Sequence, residues 1–105
     1  MKLRELQSKF VLMVADLINY ASSQGYELTF GDAFAVTGHK DNSNHYKRLA
    51  IDFNLFKDGK YLTETEDHRP LGEYWESIGG AWGGRFGDGK SSDGNHYSVE
   101  WCGSK

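Results

Sequence analysis

Apolar residues at Leu3, Leu6, Phe10, Met13, Val14, Leu17, Ile18 and Ala21 recur at spacings of three and four, with Lys2, Glu5, Lys9 and Asp16 on other faces. That period predicts an amphipathic helix that supplies core, with Gly25 as a stop just beyond it. From Tyr26 the period falls to two. Tyr26, Leu28 and Phe30 share one parity, Glu27 and Thr29 the other, which predicts a strand over 26–34 bent near Gly31. The polar run 37–44 reads as a loop. A second strand follows over 49–56, with Leu49, Ile51, Phe53 and Leu55 on one face and Ala50, Asp52 and Asn54 on the other. Asp58-Gly59 is a hairpin signal, and residues 60–63 return as a short antiparallel strand. After the charged connection 64–69, Pro70 suits a first helical turn. Leu71, Tyr74, Trp75 and Ile78 form a second helical stripe, ended by Gly79-Gly80. Residues 79–94 are glycine-rich, and Tyr97, Val99 and Trp101 alternate as a last strand.

Helices and antiparallel strands in this order, in only 105 residues, predict one domain spanning 1–105 with one modest core. Hydrophobic residues make up 38% and charged residues 26%, as in an ordinary globular protein. The formal net charge of −3 gives no basic patch for nucleic acid, so no nucleic-acid partner is expected. No apolar run approaches a membrane span, and the charged start Met1-Lys2-Leu3-Arg4-Glu5 precedes no signal-type apolar region. Stable membrane insertion and a secretory leader are therefore not expected. The single cysteine, Cys102, fits synthesis in a reducing compartment and reads as an incidental thiol.

Chemistry concentrates in two places. Ser43-Asn44-His45 is followed seven residues after the histidine by Asp52, on the predicted second strand. Asp93-Gly94-Asn95-His96-Tyr97 lies at the entrance to the last strand. A catalytic zinc site takes three protein ligands and keeps a fourth position for water. His45, Asp52 and His96 would supply a two-histidine, one-carboxylate set. Asp93, one turn before His96, would stand beside the metal as general base. Either spacing alone is common, and surface charges with loop histidines are the plain alternative. His39 and His68 have no partner motif and read as capping or surface residues. Residues 84–91 spell the P-loop pattern letter for letter, but no buried strand precedes them and turn formers follow, so the match reads as chance.

Taken together, Ser43, His45, Ala50, Asp52, Asp93, His96 and Tyr97 follow in order a pattern of Ser-x-His-x6-Asp and later Asp-x-x-His-aromatic. The chain resembles the D-alanyl-D-alanine carboxypeptidase-like zinc peptidases, and within them the phage endolysin branch of L-alanyl-D-glutamate peptidases. Trp82-Gly83-Gly84-Arg85-Phe86 and Asp88 match that family's approach to the second motif. The resemblance implies a small α+β fold: an antiparallel sheet with an N-terminal helix, a second short helix and the zinc site on the sheet face. It implies Zn2+ held by His45, Asp52 and His96, with Asp93 as catalytic base. The implied substrate is a peptidoglycan stem peptide, cut between L-alanine and D-glutamate by a monomer made in the host cytoplasm that reaches the wall after the membrane is opened. A D,D-carboxypeptidase or dipeptidase, or a non-catalytic zinc-binding phage structural protein, are the alternatives. Relatives often carry glycine where Arg48 stands, and an arginine near residues 34–36, where this chain has Phe34-Ala35-Val36. Ser43, Arg48 and Arg85 are the residues left to meet substrate.

Overall fold

The computed structural model describes residues 1–32, 43–86 and 93–105. The first helix, α1 (Leu3–Ser23), begins where the Glu5 carboxylate accepts the Lys2 amide at 3.2 Å and stops two residues before Gly25. Its buried stripe is Phe10, Met13, Leu17 and Ala21, as the three-four spacing predicts. Strand β1 (Tyr26–Phe30) pairs antiparallel with β2 (Ala50–Lys57), and β2 turns through Asp58-Gly59 into β3 (Lys60–Leu62). Both turn residues have positive φ, 53° and 77°, the type I′ pattern whose twist suits a two-residue hairpin. The second helix, α2, spans Arg69–Ser77. It is followed by the two-residue strand β4 (Ala81–Trp82) and then by β5 (His96–Ser98).

The α+β expectation is met: the strand order is β1-β2-β5-β4, with β3 also on β2. Central β2 is flanked by β1 along one edge. Its other edge carries β5 at residues 50–52 and β3 at residues 55–57. On the core face, Ile51, Phe53 and Leu55 join Tyr97 and the helix residues Phe10, Leu17, Leu71 and Trp75 in a continuous apolar cluster. Edge-to-face contacts of Phe10 and Tyr97 with Trp75 bind α2 into it, at 5.8 and 6.1 Å between ring centroids. The Trp75 indole donates to the Ser98 carbonyl at 2.8 Å, which satisfies its one buried polar atom.

Three sequence expectations are corrected. The last strand stops at Ser98, because the chain then doubles back: Cys102 and Gly103 both take positive φ, and Trp101 bridges Ser104. Residues 64–69 are not merely a connection but contain a 3-10 turn, Thr65–His68. His68 is neither a surface residue nor a side-chain cap. It is 3% exposed and its Nδ1 lies 2.8 Å from the Tyr97 hydroxyl. Periodicity missed it because one histidine in a charged run carries no pattern; its partner is 29 residues away. The bend of the first strand beyond residue 32, His39 and most of the P-loop-like run lie outside the described residues. Among the described residues, no helix is long and apolar enough to cross a membrane.

Candidate metal centre

Asp52 and His96 are direct cross-strand partners on β2 and β5, so both side chains leave the same face of the sheet, opposite the core. The backbone of Asp52 is held from its other edge as well: its carbonyl accepts the Gly31 N–H and its N–H donates to the Asp32 carbonyl, both at 2.7 Å. His45 arrives differently. It sits in a 3-10 turn, Asn44–Lys47, whose first residue is preceded by Ser43 with its hydroxyl accepting the His45 N–H at 3.2 Å. Neighbouring Asn44 is fully buried. Its amide donates to the Val99 carbonyl at 2.6 Å and the Ser104 carbonyl at 3.0 Å, pinning the turn to the C-terminal segment. Gln7 of α1 donates to the Lys47 carbonyl at 2.7 Å and ties the turn's other end. Neither anchor belongs to the Ser-x-His motif. A polar residue between two motif residues was the one available signal for Asn44.

These elements bring together the three ligand residues expected from sequence. One donor atom from each of His45, Asp52 and His96 lies within 4.8 Å of the others. His45 Nε2 and His96 Nδ1 stand 3.2 and 3.4 Å from the same oxygen, Asp52 Oδ1. Ligands about 2.0–2.2 Å from a tetrahedral ion lie about 3.3–3.6 Å apart along the edges, so the set fits a divalent metal. Burial fits too: the histidines are 2% and 6% exposed, and Asp52 Oδ1, the oxygen both of them face, is buried. Burial raises the Asp52 carboxyl pKa, but His45 and His96 outweigh it and hold the group down at about 2. The carboxylate of the candidate set is therefore an anion at neutral pH. Phe86 closes one side of the site, its ring 5.2 Å from that of His96.

Asp93 stands beside this set and outside it. The His96 N–H donates to the Asp93 carbonyl at 3.0 Å, closing a turn that brings Asp93 Oδ2 to 4.0 Å from His96 Nδ1. The Asp93 N–H donates in turn to the Gly83 carbonyl at 2.9 Å, and the Trp82 indole donates to the Gly94 carbonyl at 2.7 Å. This is why Trp82-Gly83 precedes the second motif: the pair clamps the loop that carries the acid. At Gly83 a Cβ would lie 2.1 Å from the Asp93 carbonyl oxygen, so glycine alone allows that approach. Asp93 is half-exposed, open to an incoming molecule.

The residues expected to meet substrate are placed as follows. Ser43 is occupied as the cap of the His45 turn. Arg85 makes a two-pronged pair with Glu76, both contacts 3.0 Å, and lies over the Trp82 ring. Arg48 ends the His45 turn at φ 58° and ψ 36°, a left-handed conformation that glycine adopts without strain. That explains why glycine is the common residue there in the family the sequence resembles. Ala35 falls outside the described residues.

An α+β domain with two histidines and one carboxylate gathered on a sheet face, and a further acid at their side, is built as a metallohydrolase. The profile of the D-alanyl-D-alanine carboxypeptidase family matches residues 37–99, which include all four of these residues, and the chain belongs to that peptidase family. Among curated proteins, none matches.

Proposed function

We propose that the chain is a single zinc peptidase domain that cuts peptidoglycan stem peptides, as an L-alanyl-D-glutamate endopeptidase of the endolysin type. The observation that carries this reading is the convergence of His45, Asp52 and His96 with Asp93 alongside. His45, Asp52 and His96 would hold the zinc. When bound, zinc supplies Lewis acidity toward the scissile carbonyl and lowers the pKa of water toward neutrality. The chain's own residues do the rest. Asp93 takes the proton of the attacking water at its carboxylate and returns it to the departing amine. Asp52, kept ionised, balances the ion's charge, and Phe86 shields one side of His96. The motif spacing supports the endolysin branch, while the matched family's own description favours a second reading, D,D-carboxypeptidase.

Muropeptides incubated with the zinc-loaded and the chelated protein separate the two when products are weighed by mass spectrometry. New N-terminal D-glutamate and C-terminal L-alanine support the endopeptidase; free D-alanine supports the carboxypeptidase. Intact muropeptides after incubation with folded, zinc-loaded protein overturn both. Asp93→Ala should keep zinc and lose roughly 10^2- to 10^4-fold in turnover, the usual worth of a general base. His45→Ala should lose the metal itself, as metal analysis of the dialysed protein would show. Unchanged turnover in Asp93→Ala removes that residue from the base's role.

A further inference from the structure

The backbone that carries the half-exposed Asp93 is gripped from two sides. On one side stands the 3-10 turn Gly83–Arg85, whose Gly83 carbonyl accepts the Asp93 N–H. On the other stands the turn Thr65–His68: a Cβ at Gly94 would lie 2.6 Å from the Thr65 Cα, so the two backbones touch. Both turns pack against α2 and against each other. The buried Trp82 ring joins the three, and its indole N–H donates to the Gly94 carbonyl. Glycines at 72 and 84 leave room for that ring, since a Cβ at either would run into it. The place of Asp93 is therefore set by how the two turns and α2 are held together.

Five charged side chains lace these elements to one another. Arg69, at the start of α2, reaches both carboxylate oxygens of Glu66 in the Thr65–His68 turn, at 2.6 and 2.7 Å. Arg85, in the Gly83 turn, makes its two-pronged pair with Glu76 of α2. Glu73 stands between them, 3.7 Å from Arg69 and 3.8 Å from Arg85. Both guanidiniums also lie over the Trp82 ring, 5.4 and 5.3 Å from its centroid, where a cation is attracted to the aromatic face. Isolated exposed ion pairs contribute little, but two-pronged arginine–carboxylate contacts joined into a network are the exception. Arg69 pairs with residues three and four positions away, within one stretch of chain. Arg85 reaches back nine positions to Glu76 and so ties the Gly83 turn to α2.

Resting on the reading of Asp93 as general base, we propose that Arg85 is a positioning residue for Asp93, acting through Trp82 and the Gly83 turn. Hydrogen exchange followed by NMR on the full chain reads this without any turnover. The Trp75 indole, held by the Ser98 carbonyl in the core, is the internal control. In Arg85→Ala the Trp82 indole proton and the Asp93 amide should exchange about tenfold faster, with the Trp75 indole unchanged, as a local opening requires. Glu73→Gln, which removes the shared anion at an exposed position, should speed the same two protons to a smaller degree. With zinc-loaded protein and muropeptides, Arg85→Ala should lower kcat about tenfold at unchanged KM and zinc affinity, because a small displacement of a reacting group is costly. Equal acceleration at Trp75 and Trp82, no acceleration at Trp82, or a raised KM at unchanged kcat, as loss of a substrate contact gives, would overturn the assignment. Selective exchange at Trp82 together with intact muropeptides would count against the peptidase reading alone, so the two failures are distinguishable.

Discussion

His68 shows how much one buried side chain can contribute to the behaviour of this protein. Burial disfavours its protonated form and lowers its pKa from 6.5 to about 4, against a smaller opposing effect of the Asp67 charge. Between those values the unfolded chain binds a proton that the folded chain refuses, so stability should fall as pH drops from about 6.5 to about 4. At 1.36 kcal/mol per unit the full loss is of order 3 kcal/mol. Urea unfolding of the metal-free protein from pH 4 to 8 should therefore show a shallower slope in His68→Gln than in the wild type. Arg48 is a second case. An L-residue in the left-handed region costs about 1–2 kcal/mol, part of which glycine returns as entropy. Arg48→Gly should raise the unfolding free energy by up to about 1 kcal/mol while zinc binding persists, measurable by denaturant titration.

At the scale of elements, the site depends on how strands and turns are clamped to one another. Asp52 and His96 need only the register of β2 against β5, since cross-strand partners share a face. His45 needs Ser43 and Asn44 to hold its turn, and Asp93 needs the close approach of Gly83. A methyl group at Gly83 cannot fit without moving the Asp93 loop. Gly83→Ala should cost at least about 2 kcal/mol, in the range of overpacked sites, and weaken zinc binding together with turnover. Thermal unfolding and a competitive chelator titration would check both. Loss of turnover with unchanged zinc affinity would instead restrict the clamp to Asp93. The strands and helices themselves were legible from period, because alternation and the three-four stripe are local. Strand β4 was not: two residues among glycines have no period, and Ala81 and Trp82 become a strand only because Ser98 and Tyr97 stand opposite.

For the molecule as a whole, a candidate metal centre whose ligands would come from β2, β5 and a turn tied to α1 and the C-terminal segment links distant parts of the chain. An ion held there binds the folded state and not the unfolded one. Zinc at a thousand times its dissociation constant should therefore add about 4 kcal/mol of stability. Scanning calorimetry with zinc and after chelation should show the melting temperature rising with metal, and His45→Ala should show no such rise.

What the sequence by itself determined was the α1 and α2 stripes, the strands β1 and β2, the β2–β3 hairpin and, with the family resemblance, the identity of the four residues that converge. Each follows from local period or from residue types at motif spacing. Only the tertiary structure decided that they meet, because seven residues from His45 to Asp52 and forty-four to His96 say nothing of distance until β5 pairs beside β2. It also decided what the remaining polar residues do. Ser43 caps, Asn44 anchors, Arg85 pairs with Glu76, and His68 goes inside. Asn44 and His68 depend on partners far along the chain, and a hydrogen bond between distant residues leaves no trace in the order of either.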